Sequence, residues 1–343
     1  MKIPGNLLTT AMGILPHTDI DRAINLALSL DIPFWPQLPK VSFYEDMYVQ
    51  VTENFPGISV DEKEQKIYFN TEKFYEELAI YAENIENKSY FALTGKYSVV
   101  YHRFLERPEL KNYQLIRGQS IGPVSFGLKI FDENRRPLIY NDEVKSVIFD
   151  IIARKINVQY RELAAINPNA FVWVDEPGLS FIFGSFTGYP SSRAAADYRE
   201  FLANLEDPKG VHLCGNPDWS FLLREIEINI LSLDIYSNGH IFVKYVDDIK
   251  NFLDRGGIIA WGITPTLTEE LTGENVRSLA EKLEDYWSFL AKAGIDLEKM
   301  LRQSWLAPSR CCLVNADGEK SVELSFAYLR ELSAFLREKY RLY

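Results

Sequence analysis

The chain has 343 residues, 47% hydrophobic and 25% charged, an ordinary globular composition long enough for one α/β barrel or two smaller domains. A net charge of −11 and a pI near 5.1 argue against a basic nucleic-acid-binding face, and no apolar run reaches the roughly 18 residues of a membrane span. Pro4 and Gly5 break any signal-peptide layout at the start, and three cysteines, two of them adjacent, make a poor disulfide framework; a cytoplasmic, reducing setting is expected.

Short apolar runs alternate with amphipathic helical patterns along the chain. NLLTTAMGIL (6–15) precedes DIDRAINLALSL (19–30). Residues from about 31 to 70 break the alternation. This stretch is rich in proline and in aromatics such as Phe34, Trp35, Phe43 and Tyr44, and GISVDEKEQKIYF (57–69) reads as a hairpin. It is expected to be an insertion after the first βα unit, folded over one end of a barrel, either as a surface meander or as a wall of the active site.

The next strand candidate is LIRGQSIGPVSF (115–126). Four more runs are each followed by a helical pattern: AFVWVDEPGL (170–179), GVHLCGN (210–216), NILSLDIYS (229–237) and GGIIAWGITPT (256–266). The last, RQSWLAPSRCCL (302–313), precedes ELSFAYLRELSAFLREKY (323–340). Nearly continuous apolar runs suit strands buried on both faces, and the alternation implies βα units around a parallel sheet. Seven strands are read in this way. An eighth is expected among residues 66–100, giving a single (β/α)8 TIM-type barrel domain over residues 1–343.

Functional side chains of such barrels gather at the C-terminal ends of the strands. His17, Asp175, Glu176, His212, Cys214, Asp234, Cys311 and Cys312 all fall at such ends, and they include every cysteine in the chain. Residues two apart on a strand face the same way, so His212 and Cys214 can both face the mouth. With Cys311, and Asp234 from the neighbouring strand, they make a mixed N/S/O donor set that suits zinc. A coordinating thiol is deprotonated outright, and thiolate is the nucleophile. Zinc–thiolate chemistry therefore points to alkyl transfer onto a small-molecule thiol. Glu176 should point away from Asp175, so that at most one of the two faces the mouth, and Tyr236, two residues after Asp234, is a candidate to line the pocket.

Taken in order, TTAMGILPHTD, IRGQSIGPVSF, VWVDEPGLS, GVHLCGN, WGITP and APSRCCL resemble the strand-end motifs of the catalytic domain of cobalamin-independent methionine synthase. The wider superfamily includes uroporphyrinogen decarboxylase and zinc methyltransferases. The resemblance implies zinc ligation by His212, Cys214, Asp234 and Cys311, with Cys312 in the place of the family's glycine or exchanging roles with Cys311. It implies that Asp175 contacts the amino group of homocysteine, and that Gly13 and Ile14 stand where the family's Gly-Ser meets the substrate carboxylate.

The barrel is expected to begin at residue 7, with no counterpart of the family's large N-terminal domain. A short form is therefore expected, one that takes methyl from a methylcorrinoid, free or carried by a corrinoid protein. Several substrate positions depart from the family pattern, which supports methyl transfer more than homocysteine as the acceptor. Two other readings stand beside it. One is a metal-free decarboxylase acting on a tetrapyrrole, against which Arg22 is the only arginine in the first hundred residues. The other is a corrinoid- or metal-carrying relative without turnover.

Overall fold

The computed structural model describes residues 3–182, 189, 191–311 and 315–342. In chain order the strands are β1 (Leu8–Thr9), β2 (Ile58–Asp61), β3 (Lys66–Phe69), β4 (Ile116–Ile121), β5 (Ala170–Asp175), β6 (Lys209–Leu213), β7 (Ile230–Asp234), β8 (Ile258–Thr264) and β9 (Ser304–Pro308). Seven of them form one parallel sheet in the order β1-β9-β8-β7-β6-β5-β4. β2 and β3 form the separate antiparallel hairpin expected from GISVDEKEQKIYF.

All seven apolar runs become the seven sheet strands. β4, β5, β7, β8 and β9 are buried at every residue, as nearly continuous apolar runs require of β5, β7 and β8. Helices cover the outer face. The helix Asp142–Ile166 packs on β4 and β5, and the helix Lys320–Tyr340 packs on β1, β8 and β9.

No regular strand among the described residues stands between β1 and β4, and residues 66–100 supply none: Lys66–Phe69 belongs to the hairpin, and helix Thr71–Glu83 follows. The gap is spanned instead by residues 32–37. Ile32 N donates to Thr9 O (2.9 Å), Arg117 N to Pro33 O (3.0 Å), Gln37 N to Gly13 O (2.7 Å) and Leu15 N to Gln37 O (3.0 Å). Single parallel bridges, Phe34 to Arg117 and Ile14 to Gln37, join the segment to both sides. Pro33 and Pro36 have no N–H to give a ladder, which is why these residues bridge without becoming a regular strand. The start of the expected insertion, with Phe34 and Trp35, therefore lies in line with the sheet and not over its end. Phe34 and Trp35 are fully buried, Trp35 against Tyr101 at 5.0 Å, while Phe43 and Tyr44 remain half-buried.

Asp31 fastens this end of the sheet. Its Oδ2 accepts from Thr9 N and Thr9 Oγ1, both at 2.8 Å, and from Arg337 Nη2 of the last helix at 3.0 Å. Hydrogen bonds to a charged acceptor contribute about 1.5–3 kcal/mol. Asp31→Asn is expected to lower unfolding free energy by about 2 kcal/mol in urea titration, with an unchanged denaturant slope; loss of less than about 0.5 kcal/mol would show that the clamp is dispensable.

Candidate active site

The parallel register aligns the chemistry-bearing residues side by side. Asp175 pairs with His212, His212 with Ser232, and Asp234 with Gly262. His212 is buried, with its ring stacked on Trp173 at 5.6 Å and 24°. Its Nδ1 meets Ser232 Oγ at 2.9 Å, and its Nε2 meets Cys214 Sγ at 2.9 Å. Residues two apart on the strand thus do converge, and Ser232 fixes the ring. Burial, helped by the nearby Arg117 charge, holds the imidazole down at about 3, so it is neutral at physiological pH. Burial pushes the Cys214 thiol up, reinforced by Cys311 and Asp175.

The other proposed ligands are placed differently. Asp234 caps the helix Ile235–Phe242: its Oδ1 accepts from Ser237 N at 2.9 Å, while its Oδ2 lies 3.9 Å from Arg310 Nε. Cys311 is exposed, and its backbone N–H acts on the Cys214 sulfur. Cys312 lies outside the described residues. Among the described residues, the one His/Cys/Asp/Glu trio with ligand atoms all within 4.8 Å of one another is elsewhere, at His17, Glu319 and Glu323. Arg22 already bridges both of those glutamates, at 2.9 and 2.7 Å.

The His212–Cys214 pair suits a zinc ion in donor chemistry. A neutral imidazole and a thiolate on one tetrahedral zinc stand about 3.6 Å apart, so the observed 2.9 Å needs only a small opening. The Ser232 contact is the kind of outer-shell partner that orients a ligating histidine.

Asp175 and Glu176 separate as alternation dictates. Glu176 is tied to the start of the helix Pro123–Lys129: its carboxylate accepts from Val124 N (3.0 Å), Ser125 N (3.0 Å) and Ser125 Oγ (2.6 Å). A Cβ on Gly122 would come within 1.9 Å of Glu176 Oε1, so glycine is needed there. Asp175 is also buried, but its Oδ1 has no protein partner. Burial pushes its carboxyl up, and the Arg117 guanidinium opposes that shift.

Arg117 was not singled out by the sequence reading. It is fully buried within the sheet, its guanidinium 3.6 Å from the Trp173 ring centroid, and it donates to Thr10 Oγ1 (3.0 Å), Gly118 O (3.2 Å) and Gln119 Oε1 (2.8 Å). The available signal was a charged residue and an amide at alternate positions of a strand with otherwise apolar and small residues.

Gly13 makes room for Gln119, whose Nε2 would lie 1.4 Å from a Cβ there, and Ile14 is half-buried beside Gln37. The Tyr236 hydroxyl donates to Glu274 Oε1 at 2.9 Å, and Lys282 Nζ stands 3.8 Å from its ring centroid.

No protein-family model matches the sequence, and no curated protein matches it. The fold does have solved counterparts. A methyltransferase from Methanosarcina mazei superposes with a TM-score of 0.55 over 96% of this chain and 94% of its own, at 14% identity. A B12-independent methionine synthase from Shewanella sp. W3-18-1, in complex with selenomethionine, superposes with a TM-score of 0.45 at 16% identity, over 66% of this chain. The match spans 63% of that synthase. At these identities the likeness to the methyltransferase is one of α/β fold.

Glu176 gives the site a pH signature. Burial raises its carboxyl from 4.5 to about 7 in the fold, against the lowering effect of its hydrogen bonds. Between those values the folded state holds a proton that the unfolded chain has released, so stability should fall as pH rises from about 4.5 to about 7. Glu176→Gln cannot ionise and should flatten this slope relative to the parent, at a cost of about 1–3 kcal/mol for the altered hydrogen bonds. Parallel slopes in pH-dependent denaturation would show that Glu176 does not titrate in this window.

Proposed function

We propose that the chain is a zinc-dependent methyltransferase that moves a methyl group from a methylcorrinoid, free or protein-bound, to a small thiol. The single observation that carries the reading is the meeting of His212 Nε2 and Cys214 Sγ at 2.9 Å, at the C-terminal end of β6 and in register with the buried Asp175. The fold shared with the Methanosarcina mazei methyltransferase supports it. In this reading the chain is one (β/α)8-type domain, with residues 32–37 taking the eighth position.

His212, Cys214 and Cys311 would hold the zinc, with Asp234 as the reserve oxygen donor. When bound, the metal supplies a deprotonated acceptor thiol at neutral pH. The chain's own residues do the rest. Ser232 holds the His212 ring so that Nε2 faces the sulfur. Asp175 Oδ1, free of protein partners, accepts an N–H of the acceptor and orients it. Arg117, beneath Trp173, opposes the rise of the Asp175 pKa and so favours its charged form. The half-buried Phe43 and Tyr44 offer apolar area to a corrin face.

Purified protein should contain about one zinc per chain by elemental analysis, and Cys214→Ser should lose most of it while keeping its far-UV circular dichroism. With methylcobalamin and a panel of small thiols, the parent should bleach the methyl–cobalt absorbance with at least one thiol, and Cys214→Ser should slow this by about 100-fold or more. Zinc retained in Cys214→Ser would remove the metal assignment. Methyl transfer from methyltetrahydrofolate, with none from any methylcorrinoid, would remove the donor assignment. Release of carbon dioxide from a tetrapyrrole carboxylate would favour the decarboxylase reading instead.

A further inference from the structure

A chain of buried hydrogen bonds leads away from the mouth, and its direction is set at one end. Arginine only donates. Arg117 Nη1 donates to Gln119 Oε1 at 2.8 Å, which commits the Gln119 amide nitrogen to the other side. That nitrogen donates to Trp35 O (2.9 Å) and Gln37 Oε1 (3.2 Å). Gln37 Nε2 in turn donates to Gln50 Oε1 at 2.6 Å. Each amide orientation is thus dictated by the donor before it, and none can be reversed alone without opposing two like groups. The chain ends on Gln50 Nε2, a donor on a residue 6% exposed, with no protein acceptor.

Gln50 opens on a cavity of about 30 Å³ between β4, the helix Asp142–Ile166 and the segment carrying Trp35, Met47 and Val51. Lys155, from that helix, lines the same cavity. Lysines ordinarily bury the stem and leave the ammonium in water. Lys155 inverts this: the residue is half-buried, yet its Nζ is covered and has no acceptor in the protein. Burial pushes its ammonium down to about 8, with the Glu53 charge opposing, so it stays mostly protonated at neutral pH.

Two acceptor-bearing side chains of the lining, Glu162 and Gln159, do not reach Lys155 Nζ, and Gln159 Oε1 is itself without a partner. Glu162 shares the lining, but its Oε2 takes the Tyr101 hydroxyl at 2.7 Å, and Lys155 forms no ion pair within 4.0 Å among the described residues. Gln159 is anchored by its Nε2 on Gln119 O at 3.2 Å, which turns its Oε1 against Gly118. A buried cation and an aligned amide donor therefore face one small space without a hydrogen-bond acceptor from the protein, and burying a charge without one is costly.

We propose that this cavity is a binding site for a small monovalent anion, held by Lys155 Nζ and Gln50 Nε2. One water needs about 10–15 Å³ by the same measure, so the space takes two oxygen-sized groups, as in a carboxylate, or one halide. The charge of Glu53, which acts on Lys155, and Glu162 in the lining repel anions and so restrict the ligand to a single negative charge. The aligned amides extend the field of Arg117 to the ligand, which adds to the attraction. The site does not depend on the methyltransferase reading.

The test uses the full chain at pH 7, at constant ionic strength set with potassium gluconate, whose anion is too large for the cavity. Potassium formate and potassium chloride are titrated separately, with the thermal midpoint and the ¹³C line width of formate as readouts. At least one of the two anions should raise the midpoint saturably, as a ligand of the folded state must. Formate protection identifies a carboxylate site, and protection by chloride alone identifies a halide site.

Lys155→Met should weaken binding at least about tenfold, a change of 1.4 kcal/mol. Gln50→Glu keeps the acceptor for Gln37 and places a carboxylate beside Lys155. It should raise the midpoint without added anion and abolish the response to it. No saturable response to either anion in the parent, leaving the cavity to water alone, would overturn the proposal. A response that survives unchanged in Gln50→Glu would do the same, even if Lys155→Met failed to fold.

Discussion

The interior of the sheet is organised around the burial of one guanidinium. Taking Arg117 out of water costs several kcal/mol unless its donors and charge are met. Thr10, Gly118 and Gln119 meet two of its three nitrogens, the Trp173 and Phe34 rings lie 3.6 and 4.9 Å away, and the charge of Asp175 acts on it. Those partners come from the residue just after β1, from β4 and β5 and from the bridging residues 32–37, so one cation ties together the part of the sheet where regular pairing fails. It also lies against the tryptophan on which His212 stacks. The site at the mouth and the amide chain behind it share this single anchor.

Most of the sheet strands were legible in the sequence because a strand covered on both faces must be apolar almost throughout; β4, which carries Arg117 and Gln119, departs from this. β5 and β7 show this in AFVWVD and ILSLD. The span between β1 and β4 was not legible. Its prolines erase both the period and the donors that would mark a strand, and what holds it is a few hydrogen bonds to residues about 20 to 85 positions away. The hairpin at 58–69 was readable for the opposite reason, since it is half-exposed and keeps a polar turn.

The site was partly legible by the same physics. Alternation along β6 brought His212 and Cys214 to one side, and alternation along β5 sent Asp175 and Glu176 apart. What period alone could not supply was the local competition for each carboxylate. Asp234 is followed by Ile-Tyr-Ser, and its Oδ1 is taken by the helix it starts; Glu176 serves the first turn of a helix some fifty residues earlier. Arg117 stayed hidden because a charge inside a strand reads as an edge or surface position until its partners, scattered over more than a hundred residues, are known.

The pairing of β1 with β9 bears on how the chain comes off the ribosome. Leu8 and Thr9 find their sheet partners at Trp305 and Leu306, and the last helix then holds the same end through Ser333 on Leu7 O and Arg337 on Asn6 O. The first strand must therefore wait while nearly 300 residues are synthesised, a delay of about 15 to 60 s at usual elongation rates. During that interval β9, the strand that covers one side of β1, does not yet exist, and the exposed edge is a mere two residues long. Such a short edge offers little to a neighbouring chain on the same polysome.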